Sequence, residues 1–171
     1  MKKLLFWFKM LTFSCLLLMS SCRDKNLFQE VNGLHDFVGN LHIYIEYLDS
    51  NGANIVQNNT QVAVFYEKDG IAQLVQRPSF DVPYGYTIKS MQGIFPNAPD
   101  ELCVDFFPSD YLNNENSSTT YVKLGNNSMD TFRCQFYNEP GMIYLLKVWH
   151  NGTLVWEHKT GSASPLIKIV K

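Results

Sequence analysis

Basic clusters are scarce in this chain. Its 171 residues hold 14 Lys and Arg against 16 Asp and Glu. Three of those bases, Lys2, Lys3 and Lys9, lie in the first 21 residues, ahead of every acid. Without that leader the balance is 11 basic to 16 acidic residues, a net charge of −5. An acidic remainder with no Lys/Arg stripe excludes nucleic acid as the main partner, because phosphate neutralisation needs such a stripe. Sustained helical periodicity is missing too: no segment after residue 40 places apolar residues at 3.6-residue spacing between caps. Long apolar runs are missing as well. The longest uncharged stretch of the leader, Met10 to Cys22, has 13 residues, short of the roughly 20 that a spanning helix needs. Neither HExxH nor GxSxG nor a P-loop occurs.

Apolar residues are plentiful. They make up 46% of the chain, with 14% aromatics, enough to build a core and to exclude global disorder. The length suits one domain and crowds two. The N-terminus reads Met-Lys-Lys, an apolar stretch, then Ser20-Ser21-Cys22, the layout of a secretory signal. Leu18-Met19-Ser20-Ser21-Cys22 resembles the bacterial lipobox, with Met19 where Leu is more usual. That resemblance implies cleavage before Cys22, acylation of its thiol and attachment to a membrane; two or three chains anchor stably. Residues 1–21 are then a signal peptide, 22–39 the anchor Cys and a tether, and 40–171 a single folded domain. Arg23-Asp24-Lys25-Asn26 does not separate the periplasmic from the surface leaflet of the outer membrane.

From Leu41 onward the sequence is a succession of β-rich runs. Leu41, Ile43, Ile45 and Tyr47 alternate with His42, Tyr44, Glu46 and Leu48. Gln61–Lys68 and Ile71–Arg77 are joined by Asp69-Gly70, a strong hairpin signal because both central positions of a type I′ turn need positive φ. Further strands are expected at 86–95 (with Gly93 as a bulge), 101–107, 119–124, 130–137, 142–150, 153–159 and 166–170. Pro-rich stops follow Arg77 and Val82, and the polar stretch 109–118 reads as a mobile contact loop. This pattern predicts an all-β, antiparallel sandwich of about nine strands. Residues 138–148 (NEPGMIYLLKV) resemble the strand-opening pattern of bacterial immunoglobulin-like domains, where a turn Gly precedes a Tyr and alternating aliphatics. Signal plus single sandwich resembles the small cell-envelope lipoproteins of Bacteroidetes. That resemblance implies outer-membrane anchoring, and the leading expectation for function is a non-enzymatic binding or accessory module with a glycan or protein ligand. The alternative is an assembly component that pairs through an edge strand such as Leu166–Val170.

The last hairpin supplies the candidate patch. Asn151-Gly152 as a two-residue turn sets Trp149 opposite Leu154 and Lys147 opposite Trp156. Strict alternation then puts Lys147, Trp149, Trp156 and His158 on one face, an aromatic platform suited to stacking a sugar or a cation. The bland alternative is that both faces are covered. Phe80–Tyr86 (FDVPYGY) frames a small pocket at one end of the sandwich, or plugs the core there. Cys103 and Cys134 are the two thiols left in the domain, so one disulfide is open to it. Strand parity counts against the bridge, placing Cys134 inward and Cys103 outward. His35, His42, His150 and His158 have no metal-ligand spacing, and no cofactor or metal is expected. His42 and His158 fall on exposed strand faces. Asp100, Glu101, Asp105 and Asp110 read as solvated acids with no fixed catalytic pairing.

Overall fold

The computed structural model describes residues 41–78 and 81–171, together with the backbone of Gln29–Glu30 and Phe37–Val38. The signal peptide, Cys22, His35 and Phe80 lie outside the described residues. No helix occurs among those described. The strands are β1 (Gln29–Glu30), β2 (Phe37–Val38), β3 (Ile43–Leu48), β4 (Val62–Lys68), β5 (Ile71–Leu74), β6 (Tyr86–Ser90) and β7 (Leu102–Phe106). β8 (Tyr111–Leu112), β9 (Ser117–Leu124), β10 (Met129–Glu139), β11 (Met142–His150), β12 (Thr153–Glu157) and β13 (Leu166–Val170) follow. Ten of those described have four residues or more, beside the about nine expected.

Two sheets hold these ten. One runs β12–β11–β10–β9–β4–β5 and the other β13–β3–β7–β6, an arrangement consistent with a sandwich. β2 extends the first sheet by pairing in parallel with Met142–Ile143, and β1 pairs with β8. β13 runs parallel to β3, the one parallel pair in the four-stranded sheet. Ile43, Ile45, Tyr47, Val104 and Phe106 of the four-stranded sheet meet Val64, Val122, Phe132, Cys134 and Val148 of the six-stranded one in a single core cluster. These side chains occupy alternate positions of their strands, as period-two patterning requires. Asp69 and Gly70 have φ of 53° and 76°, and Asn151 and Gly152 have 47° and 84°. Both hairpins therefore turn as their Asp-Gly and Asn-Gly pairs predict.

Two expectations about local structure need correction. The strand expected over 86–95 ends at Ser90, and the chain then curls into turns bonded from Ile94 N and Phe95 N to Met91 O. Met91, Ile94, Phe95 and Ala98 lie on the outer side of the four-stranded sheet, against Tyr44 and Cys103. The polar stretch 109–118 is not a free loop. Asn113 Oδ1 accepts hydrogen bonds from the backbone of Glu115 and Ser117, Phe136 N donates to Asn116 O at 2.9 Å, and Ser109 N donates to Thr120 Oγ1 at 2.7 Å.

Candidate functional site: a cavity at one end of the sandwich

The two ends of the sandwich are built differently. At the end where β3 begins and β7 finishes, the sheets part around a cavity of about 340 Å³. The prolines explain the opening. β5 ends at Leu74 and Val75 N still donates to Val64 O, but Pro78 and Pro83 cannot donate to a further ladder, and residues 81–85 lie over this end as an arch before β6 starts. The arch is fixed by Arg77 N to Pro83 O at 2.7 Å, Gly85 N to Val82 O at 3.1 Å and Phe107 N to Gly85 O at 3.0 Å. Gly85 is required where the arch meets the sheet. Its φ is 75°, and a Cβ there would lie 3.2 Å from Val75 Cγ1 and 3.4 Å from Tyr66 Oη.

Leu41, Tyr66, Val75, Val82, Phe107 and Pro108 give the cavity an apolar wall. Tyr66 is buried, and its hydroxyl donates to Phe107 O at 3.2 Å, so its polar tip is satisfied. Burial raises its pKa above the ordinary tyrosine value. Arg77, Asp81 and Asp110 form the polar rim. Arg77 binds Asp110 bidentately at 2.7 and 2.8 Å and lies over the rings of Tyr66 and Tyr111, at 5.2 and 5.6 Å. The Asp110 hydrogen bonds raise the guanidinium pKa further. The pair cancels its own charge and Asp81 adds a negative one, so the described rim does not favour an anionic ligand. Among the described residues no His, Cys, Ser, Thr or Lys lines the cavity, and no group of three metal-ligating side chains occurs. The FDVPYGY motif therefore frames a pocket through Asp81, Val82 and Gly85, while Tyr84 is 59% exposed.

Behind Phe107 stands a half-buried charge cluster around Asp105, which is not the solvated acid expected from the sequence. His42 packs on Phe107 with ring centroids 4.3 Å apart. Asp105 is fully buried on the outer side of the four-stranded sheet. His42 Nδ1 lies 2.8 Å from its carboxylate, Lys89 Nζ 2.7 Å and Thr87 Oγ1 3.3 Å. Burial alone would push this carboxyl up. The hydrogen bonds and charges of His42 and Lys89 more than offset that and hold it below the usual carboxylate range. Tyr44, beside it, is pushed up to about 12 by burial and by the Asp105 charge.

At the far end of the four-stranded sheet a polar network crosses between the layers. Asp130 is 2% exposed. Tyr47 Oη donates to it at 2.9 Å, His150 Nε2 lies 3.0 Å away, and Lys171 Nζ approaches both its oxygens at 2.8 Å. Burial, then the Asp130 charge, raises the Tyr47 pKa. His150 also stacks on Phe132 at 5.2 Å. These groups join β3, β10, β11 and the residue after β13.

The hairpin platform is divided by two bulges. Phe136 pairs with Leu145 and Gln135 with Lys147, leaving Leu146 as an extra residue; Val155 is extra in β12. Each bulge inverts the alternation beyond it. Val148 is in the core as alternation expects, Leu145 joins it in place of Leu146, Val148 pairs with Trp156, and Trp156 packs against the core. Trp149 stays on the outer face, where Arg133 lies 5.1 Å from its ring. Lys147 faces Glu157, with an ion pair at 2.9 Å, instead of Trp156. His158 is exposed, 5.3 Å from the Tyr144 ring, which stacks on Tyr137. The expected four-residue patch is divided: Lys147 and Trp149 keep the outer face, while Trp156 turns toward the core with the His158 ring 6.0 Å from its own. Cys103 and Cys134 are free, one on the outer side of one sheet and one in the core between sheets, so the open disulfide does not form. Burial raises both thiol pKa values, Cys103 to about 11, which leaves them poor nucleophiles.

Neither a protein-family model, nor a curated protein, nor a solved structure matches this chain.

Proposed function

We propose that this chain is a lipid-anchored cell-envelope module of immunoglobulin-like build that binds a small apolar or amphiphilic ligand without transforming it. The supporting observation is the cavity of about 340 Å³ between the sheet ends, with an apolar wall and a rim on which Arg77 is paired with Asp110. Its volume falls at the small end of the range for ligand sites, about 300–1,000 Å³. The apolar wall, built from Leu41, Tyr66, Val75, Val82, Phe107 and Pro108, suits recognition of an apolar group. The immunoglobulin-like reading draws on the two-layer build and on Pro140-Gly141, where positive φ at Gly141 opens β11. The lipobox-like LMSSC and the small acidic domain support the outer-membrane lipoprotein reading.

The test is thermal or denaturant unfolding of the protein with a panel of soluble neutral amphiphiles and glycans, beside Val82→Trp, which fills the cavity. A ligand at a hundred times its Kd stabilises by about 2.7 kcal/mol. An amphiphile should raise the midpoint of the wild type and leave Val82→Trp unmoved. Equal shifts in both proteins, or none in either, contradict the pocket. A second reading, assembly through an edge strand, is favoured by the position of β13 at the edge of its sheet, with Val170 64% exposed. Lys168, paired with Glu46 at 2.8 Å, sits mid-strand as an edge-blunting charge. Concentration-dependent sedimentation would support assembly instead of a monomeric receptor.

A further inference from the structure

We propose that the cavity faces the membrane to which the chain is tethered and takes the hydrocarbon portion of a lipid from that bilayer. This rests on the reading of Cys22 as an acylated anchor and of the cavity as the ligand site.

The first support is where the chain arrives. Gln29 and Glu30 pair with Leu112 and Tyr111, and Tyr111 is the neighbour of the rim residue Asp110. Gln29 follows Cys22 by seven residues, which span roughly 25 Å at full extension. An acylated Cys22 thus holds the β1–β8 pair, and the rim beside it, within that distance of the bilayer surface. Leu41, just before β3, lines the same cavity. The second support is the chemistry of the site. Its wall is apolar and Arg77 is already matched by Asp110, so it selects a hydrocarbon segment over a phosphate head group. The third is the surface around the mouth. Tyr84 lies in the arch, and Ile71 lies on the β4–β5 turn, opposite Lys68, whose ammonium sits 4.3 Å from the Tyr111 ring. These two apolar side chains are 59% and 63% exposed, as residues that dip into an interface would be. Lys171 and the Asp130 network lie at the other end.

The experiment uses the acylated protein in vesicles of phosphatidylethanolamine and phosphatidylglycerol, with a trace of lipid carrying a diazirine in its acyl chain. After irradiation, peptide mapping should place adducts at 75–77, 82–85 and 107–110. Val82→Trp should cut that yield several-fold. So should a long Gly/Ser insert after Asn26, because a longer tether dilutes the site at the surface. Adducts confined to β12 or β13, or a yield indifferent to both changes, overturn the proposal. Failure of the wild type to float with the vesicles overturns the anchor reading and this inference with it. A protein that floats, and whose cavity binds amphiphile in solution, yet gives no cavity adducts, overturns this inference alone.

Discussion

The two ends of the sandwich solve the same problem in opposite ways. Where two sheets part, core atoms must be covered. At one end Asp130, Tyr47, His150 and Lys171 cross the gap and satisfy one another. At the other, Arg77 and Asp110 pair at the rim and leave an apolar cavity between them and the core. The charges at the Asp130 end are buried inside the structure. Those at the open end are shared with solvent: Arg77 and Asp110 are 26% and 40% exposed. The contrast teaches that polar groups spanning from sheet to sheet lock this fold, as Asp130 does with Tyr47, whereas the Asp105 cluster stays on the outer side of one sheet and leaves the gap beside it open.

The sharpest way to break that contrast is Asp130→Ala. It strands Tyr47, His150 and Lys171 without their acceptor, and the expected loss is about 3–5 kcal/mol, read as a lower urea midpoint. Asp105→Asn should cost less, about 1–3 kcal/mol, because Thr87 and His42 keep a hydrogen-bonding partner. Its pH dependence has a definite sign. Asp105 has a depressed folded pKa, so its contribution is complete above the unfolded value near 3.9 and disappears as pH falls through the folded value. The gap between wild type and Asp105→Asn should therefore be constant from neutral pH down to about 5 and close below about 4. Unfolding titrations at stepped pH measure it. Tyr66→Phe removes one hydrogen bond to Phe107 O at the open end and should cost about 1 kcal/mol, while sparing ligand binding. Lys147→Ala removes only an exposed pair with Glu157 and should leave the midpoint unchanged; a clear drop would mean that the hairpin platform carries more of the fold than its geometry shows.

Much of this layout is legible in the sequence. The turn pairs Asp69-Gly70 and Asn151-Gly152, the alternation of β3 and the prolines around the arch give the strands, two hairpins and the pocket motif. The bulges at Leu146 and Val155 are not legible, because an extra residue inside a run of β-formers leaves the local pattern unchanged; only the partner strand reveals it. That single blind spot moved Trp156 from the platform to the core. The cover over Cys103 had a readable signal. Met91, Ile94, Phe95 and Ala98 recur at i, i+3, i+4 and i+7, a turn-forming spacing rather than a strand's. Asp105 was half legible: parity puts it with Cys103, Tyr44 and His42 on one outer face, but its burial depends on that cover. The Arg77–Asp110 rim joins residues 33 apart and has no local signature.

The most direct measurement of the difference between the ends is hydrogen exchange of the protein with and without a soluble amphiphile held below its micelle concentration. The account predicts added protection at 75–85 and 107–111, with no change at 128–132 or 148–152. Protection spread evenly over both ends, or found only around Asp130, would contradict it.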